Sequence, residues 1–387
     1  MEISERMKQI VPSMTLAVDA KAKKLQAEGQ PVISFGSGEP DFRTPASICE
    51  AAKKAIDDGH HKYTLVAGTM ELRKAISQHL EREYRVAYDP SQIVVSNGAK
   101  HSLYNVFLAL INPGDEVLVP APYWVSYPEQ VKFAGGVPVA VECAEADEFK
   151  LTPEALKARI TPKTKGLILN SPSNPTGAVI GRKAMEGIAE LVLKHKLWVV
   201  SDEIYSKLIY GEEHVCFPAL SKEVAAQTIL VNGVSKTYAM TGWRIGYAAG
   251  PSNVMKAVND FQSGTTSGAS AVSQKAAEAA MVLPDAEIQK MVEIFRKRRD
   301  MIVDGLNNIP GIKCLRPAGA FYAFPNVKGL LKPGRSNSME LSEYLLDKAK
   351  LAITPGIAFG MEGYLRFSYA TSEKNIEEAL KRIKEAV

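Results

Sequence analysis

Cysteine is scarce in this chain of 387 residues: the four present, at 49, 143, 216 and 314, have neither metal-binding spacing nor a clustered framework. That excludes a disulfide-built secreted domain and a zinc module, and makes a reducing cytoplasm the expected setting. No apolar run approaches the roughly 20 residues that a membrane span needs, and no basic-then-apolar leader opens the chain. Charge of one sign is also missing as a block. The formal net charge is only +4, and Glu377-Glu-Ala-Leu-Lys-Arg-Ile-Lys-Glu385 interleaves both signs as a salt-bridged helix face does, leaving no stripe for nucleic acid. Gly36-Ser-Gly38 lacks the third glycine of a dinucleotide fingerprint, and Gly98-Ala-Lys100 lacks the first glycine and trailing hydroxyl of a P-loop. His60-His61 stands without a second histidine cluster, reads as surface, and gives no metal site.

What is present concentrates in Asn232-Gly-Val-Ser-Lys-Thr-Tyr-Ala-Met-Thr-Gly-Trp-Arg-Ile-Gly246. Lys236 follows an apolar strand in a tight turn, with the Ser235 hydroxyl, several glycines and Arg244 close by. A lysine that is partly desolvated and crowded by another cation spends more time neutral, which suits an amine that condenses with an aldehyde. Arg244 and Ser235 are the planar fork and short hydroxyl donor that a phosphate needs. Aldehyde and phosphate together are the chemistry of pyridoxal phosphate. An isolated Ser-Lys pair is ordinarily just surface, so the reading depends on the rest of the chain.

Leu197-Trp-Val-Val-Ser-Asp202-Glu-Ile-Tyr205 reads as a buried parallel strand that delivers Asp202 and Tyr205 into a crevice at its carboxyl end. A carboxylate there suits a protonated pyridine nitrogen and a phenol suits a ring hydroxyl, although a strand-end aspartate also caps helices. Lys165-Gly-Leu-Ile-Leu-Asn170 is a second such strand, leading to Asn174-Pro175, where proline restricts the asparagine and permits a cis bond. Asn174 is then either a rigid donor to a ring oxygen or part of a plain Asn-Pro-Thr-Gly turn. Gln92-Ile-Val-Val-Ser96 runs through Asn97-Gly98-Ala99-Lys100 into a helix over 101–110, so free N–H groups at Gly98, Ala99 and Lys100 face outward where anions bind, or close an ordinary loop.

The segment from Gly233 to Gly246 resembles the pyridoxal-phosphate attachment signature of class I aminotransferases. Gly38, Tyr63, Gly98, Trp124, Asn174, Asp202, Tyr205, Lys236, Arg244 and Arg366 follow that family in order along essentially the whole chain. With Ala121-Pro-Tyr-Trp-Val-Ser-Tyr-Pro128 and Ser201-Asp-Glu-Ile-Tyr205, the chain is most similar to the bacterial and archaeal aspartate aminotransferases. The resemblance implies that Trp124 stacks on the pyridine ring and that Tyr63 reaches the phosphate of a neighbouring subunit in a homodimer. It also implies that Arg366 grips the substrate α-carboxylate, with Gly38 leaving room beside it. From residues alone, Arg366 between Leu365 and Phe367 fits equally a strand arginine on a solvated face. Lys100, assisted by Thr15, is the expected contact for a distal carboxylate; the competing reading has Lys100 facing solvent. Relatives that accept prephenate carry lysine where this chain has Val11 before Pro12-Ser13, which argues against that substrate.

The expected fold is α/β, the pyridoxal-phosphate fold type I, with a doubly wound, mostly parallel sheet and a smaller α+β domain. Strand-like runs at 92–96, 115–119, 165–170, 197–201, 228–232 and 244–249 alternate in part with helices such as 182–195. Residues 1–44 are expected to form an arm and part of the small domain, 45–285 the large domain and 286–387 the remainder of the small one. The expected reaction moves an amino group from an L-amino acid, aspartate first, to 2-oxoglutarate. An aromatic, alanine or prephenate-type aminotransferase is the alternative, as is carbon–sulfur β-lyase chemistry on the same cofactor. A transcriptional sensor on this fold is disfavoured, since about 30 residues precede the domain, fewer than a helix-turn-helix and linker need. Incubation with pyridoxal phosphate is expected to give a coloured protein whose colour borohydride fixes on Lys236; Lys236→Ala stays untagged, and tagging elsewhere would remove the basis of this reading.

Overall fold

Seven strands make the main sheet, and the chain winds helices over both of its faces. A computed structural model describes residues 2–8 and 14–387. In chain order the strands are β1 (Ile33–Ser34), β2 (Ile93–Ser96), β3 (Glu116–Ala121), β4 (Val137–Glu142), β5 (Thr164–Asn170) and β6 (Trp198–Asp202). They continue with β7 (Thr228–Gly233), β8 (Gly246–Ala249), β9 (Tyr322–Ala323), β10 (Leu351–Ala352), β11 (Thr354–Pro355) and β12 (Leu365–Ser368). The main sheet has the order β2-β8-β7-β6-β5-β3-β4, with only β8 antiparallel to its neighbours. Along each strand successive residues go to opposite cores: Val94, Ile168, Val200 and Val231 pack under the helices Ala99–Leu110 and Ser252–Ser263, and Leu167, Leu169 and Val199 under Arg182–His195.

The register aligns functional chemistry on one edge. Asn170 lies opposite Asp202, and Gly246 lies opposite both Ser96 and Gly233. The carboxyl ends of β2, β5, β6 and β7 therefore open at one crevice, the place where an α/β sheet binds ligands. Gly246 is required there: a Cβ would overlap the Ala99 amide and the Gly98 carbonyl carbon at the start of the following helix.

Two smaller sheets complete the fold, β1-β10 and β11-β12-β9. They pack with the helices Asp285–Asn307, Ser338–Ala349 and Glu373–Ala386 around Phe295, which stacks on Phe321 at 5.3 Å. The last helix buries Ile376, Ala379 and Ile383 on one stripe while Glu378 pairs with Arg382 at 2.7 Å on its outer side. Among the described residues no helix is long and apolar enough to cross a membrane.

Two local expectations change. The strand anticipated from 244 begins at Gly246, because Thr241–Trp243 makes a 3-10 turn and Arg244 takes a left-handed conformation with φ 56°. β4 went unread: it is an edge strand carrying Pro138, which a period-2 reading discounts but an edge accepts. Gly246→Ala is expected to lower the denaturation free energy by at least about 2 kcal/mol through backbone overlap. Gly242→Ala, whose Cβ would meet nothing within 4 Å, should stay within about 0.5 kcal/mol of wild type in the same urea titration.

Candidate active site

The crevice holds a cavity of about 330 Å³. Lys236, Ser235, Asp202, Tyr205, Asn174, Arg244, Trp124, Ala99, Lys100, Gly38 and Arg366 all line it. Residues scattered over more than 300 positions of sequence thus meet in one space.

Asp202 ends β6 and is 3% exposed. Its carboxylate accepts the Tyr127 hydroxyl at 2.7 Å and the Ile204 amide at 3.2 Å, and among the described residues it has no cationic partner within ion-pair distance. Burial raises it to about 6, opposed by those two hydrogen bonds and by Lys236 and helped by the neighbouring Glu203 charge. A carboxylate so placed is suited to a buried cationic N–H. It is not a helix cap.

Lys236 follows β7 and donates to the Gly38 carbonyl. Burial is the main cause that lowers its amine to about 8; Arg244 and Arg366 add to it, while Glu39 and Asp202 oppose. At the far side Arg366, 2% exposed, occupies the central strand of β11-β12-β9. Its guanidinium donates to Asn174 Oδ1 at 3.1 Å and to the Gly36 carbonyl at 2.7 Å, sits between the Tyr322 and Phe359 rings, and keeps a buried Nε without a partner among the described residues. The solvated-face alternative for Arg366 is therefore wrong. A central strand covered on both faces buries Leu365, Arg366 and Phe367 alike.

Arg244 reaches across the entrance, donating to the Thr241 carbonyl at 2.8 Å and the Asn97 carbonyl at 3.2 Å. Gly98, at φ 90°, lies so close that a Cβ there would strike the guanidinium. The helix Ala99–Leu110 starts at Gly98 with no side-chain cap, so its first N–H groups remain for an outside acceptor. Arginine, the Ser235 hydroxyl and an uncapped helix start make an anion cradle.

Asn174 precedes Pro175 through a cis bond, and its amide N–H donates to Asn170 Oδ1 at 2.9 Å. Tyr205 exchanges a hydroxyl hydrogen bond with Tyr322 at 2.9 Å. Lys100 is exposed yet lines the cavity, with its ammonium 4.8 Å from the Trp124 ring centroid, so its two readings describe one location. Tyr63 lies away from this cavity and is 100% exposed. Thr15 belongs to the helix Met14–Ala27, with its side chain outside what is described, as are Val11, Pro12 and Ser13.

Sequence reasoning missed Tyr127, Asn170, Thr241 and Tyr322, all at the cavity. Asn170 was legible as the last residue of a buried strand. Tyr127 lies in a run already singled out, but only the fold shows that its ring and that of Tyr322 turn inward.

An α/β protein with a desolvated lysine, a buried carboxylate and an anion cradle at strand ends is of the kind that works on amines through an aromatic phosphate. The profile described as "Aminotransferase class I and II" matches residues 30–383. The aspartate aminotransferase of Geobacillus stearothermophilus is 48% identical over 99% of this chain and 98% of its own. The probable aspartate/prephenate aminotransferase of Aquifex aeolicus is 44% identical over 100% and 98%. The Thermus thermophilus aspartate aminotransferase solved with maleate superposes with a TM-score of 0.96 at 41% identity, covering 100% of both chains. The chain belongs to the class I and II aminotransferases. It is an aminotransferase of fold type I.

Because the folded chain binds the Asp202 proton more tightly than the unfolded chain, whose value lies near 3.8, the stability tied to this group is present at low pH and lost as pH rises through about 6. In cofactor-free protein, Asp202→Asn should gain on the order of 3 kcal/mol over wild type between about pH 4 and pH 7. Urea midpoints measured across that range would test it, and a pH-independent difference would reject it.

Proposed function

We propose that the chain is a cytoplasmic aspartate aminotransferase that transfers the amino group of L-aspartate to 2-oxoglutarate on pyridoxal phosphate, and that its working form is a homodimer. The observation that carries this is Lys236 and Asp202 facing one cavity opposite the buried Arg366, with an anion cradle at the entrance. On this reading residues 45–285 hold the cofactor, and 286–387 with the arm 1–44 form the small domain. The fit to the cofactor rests on chemistry already present: a buried carboxylate that lacks a cation, an uncapped helix start, and a glycine where any side chain would strike Arg244.

When bound, pyridoxal phosphate supplies a carbonyl that captures the substrate amine and a cationic ring that draws off the electron pair released with the α-proton. The residues of the chain do the rest. Lys236, with its amine lowered to about 8, is neutral often enough near neutrality to take the α-proton and return it. Asp202 would hold the ring N–H, Asn174 and Tyr205 would donate to the ring oxygen, and Trp124 would cover the ring face. Arg244, Ser235 and the Gly98, Ala99 and Lys100 segment hold the phosphate, joined by Tyr63 from a second copy. Arg366 binds the α-carboxylate beside Gly38; its unpartnered Nε supports that role. Lys100, with Thr15, meets the distal carboxylate.

Prephenate is the second reading, favoured by the Aquifex aeolicus relative. Val11 disfavours it. A panel of aspartate, glutamate, alanine, phenylalanine and cystathionine tests the reading, with prephenate as an acceptor beside 2-oxoglutarate. Aspartate should lead, and Lys100→Ala should lower kcat/KM roughly ten- to a hundredfold for dicarboxylic donors alone. Equal loss for every donor rejects the Lys100 assignment; pyruvate and thiol from cystathionine without amino transfer would replace the transaminase reading by a lyase.

A further inference from the structure

Gln262, near the end of the helix Ser252–Ser263, is 0% exposed and uses every hydrogen-bonding group of its amide. Its Nε2 donates to the Val66 carbonyl at 2.8 Å and the Val95 carbonyl at 2.9 Å; its Oε1 accepts the Ser96 hydroxyl at 2.7 Å and Asn105 Nδ2 at 3.0 Å. Two carbonyls cannot donate, so the amide has one possible orientation. A fully satisfied buried amide of this kind is rigid, and breaking it strands four polar groups.

The segments it joins differ in what they serve. Ser96 is the last residue of β2, directly before Asn97 and Gly98, and the Asn97 carbonyl is an anchor of Arg244. Val66 lies in the loop that carries Tyr63. That loop is pinned further by Val95 N–H to the Ala67 carbonyl at 2.9 Å, and by a second buried amide, Gln274, which accepts the Thr69 N–H at 2.7 Å and donates to Thr64 Oγ1 at 3.0 Å. Gly68, at φ 97°, packs where a Cβ would lie 2.8 Å from the Val95 side chain. Yet Tyr63 is 100% and Leu65 61% exposed. A loop held this firmly while it displays a phenol and an aliphatic side chain to water is built to present them to something. The companion that fits is a second copy, whose cradle would hold an anion that a phenol can donate to.

We propose that Gln262 is a positioning residue that fixes, through one amide, both the anion cradle of its own subunit and the Tyr63 loop lent to a second copy, so that each subunit supports two sites. This rests on the shared-site dimer proposed above, and tagged mixed dimers separate the two ideas. In the first, Gln262→Met sits on the subunit with the intact Lys236 and its partner carries Lys236→Ala; only the own cradle of the competent site is disturbed. In the second, Gln262→Met shares a subunit with Lys236→Ala, so the competent site has a sound cradle and a disturbed borrowed loop. The readout is the pyridoxal phosphate concentration that half-saturates borohydride-fixed labelling of Lys236, which only the competent site can give, together with hydrogen exchange of the amides at 66–69.

Both mixed dimers should bind pyridoxal phosphate roughly tenfold more weakly than a mixed dimer with Gln262 throughout, with faster exchange at 66–69. Ser96→Ala, which spares the loop, should weaken only the first arrangement and keeps the test open should Gln262→Met fold poorly. Weakening by Gln262→Met confined to the first, or weakening by Ser96→Ala in both, overturns the double role. Tyr63→Phe in place of Gln262→Met in the second arrangement is the control: if it leaves binding unchanged, the shared site is refuted and this proposal with it, whereas an effect of Tyr63→Phe without one of Gln262→Met refutes Gln262 alone.

Discussion

Asp202, a buried carboxylate, and the cations Lys236, Arg244 and Arg366 face a common cavity that Lys100 also lines, and none of the four is paired with another. Asp202 is satisfied by a phenol and an amide, Lys236 by a carbonyl, Arg244 by two carbonyls, and Arg366 by a carbonyl and an amide oxygen. For Asp202, Lys236 and Arg366, desolvated charges held by neutral dipoles are costly compared with the same charges held by counter-ions, and ion pairing among them would have been the cheaper fold. Their separation is what leaves each free for a ligand group of opposite charge. The raised Asp202 and lowered Lys236 are the same cost seen as proton affinity.

Keeping four charges apart requires a stiff frame, and the main sheet is that frame. Parallel strands β5, β6 and β7 end side by side, so Asn170, Asp202 and the turn bearing Lys236 leave the sheet at fixed spacing. The antiparallel β8 enters from that same edge, and its first residue, Gly246, lets β2, β7 and the start of the helix Ala99–Leu110 close around it. Arg244 therefore hangs directly above the uncapped helix start. A side chain at Gly98 or Gly246 would push the arginine and the amides apart, and the cradle is the product of those two absences.

Most of this frame was legible because its signals are local. An apolar run ending in Asp202, another ending in Asn170, and a strand leading through Gly98 into a helix each carry their own evidence for strand, edge and turn. What stayed hidden depends on contacts between segments distant in sequence. The alternation of Leu365, Arg366 and Phe367 cannot tell one covered face from two, and it is the pairing of β12 with both β11 and β9 that buries the arginine. The inward turns of Tyr127 and Tyr322 depend on partners 75 and 117 residues away. β4 was unread for the opposite reason: its own proline argued against it, and only its place at the sheet edge excuses that residue.

The segment from Gly36 to Asp41 supplies neutral acceptors to two of these cations. Its Gly36 carbonyl holds Arg366, its Gly38 carbonyl holds Lys236, its Glu39 accepts from Thr241 at 2.9 Å, and its Asp41 pairs with Arg298 at 2.7 Å. The first two are neutral acceptors on cations, and each is weaker than the charged or covalent partner an amino acid and its cofactor would bring. Exchange of carbonyl for carboxylate at Arg366 therefore runs downhill without unfolding the segment, because the Thr241 and Arg298 contacts keep it seated. Gly38, with the Tyr322 hydroxyl 3.2 Å from where its Cβ would be, is the one point in that segment where an added side chain would press on a residue lining the cavity. The segment thus gives Arg366 and Lys236 neutral acceptors that a charged ligand group outcompetes, so binding breaks no ion pair there.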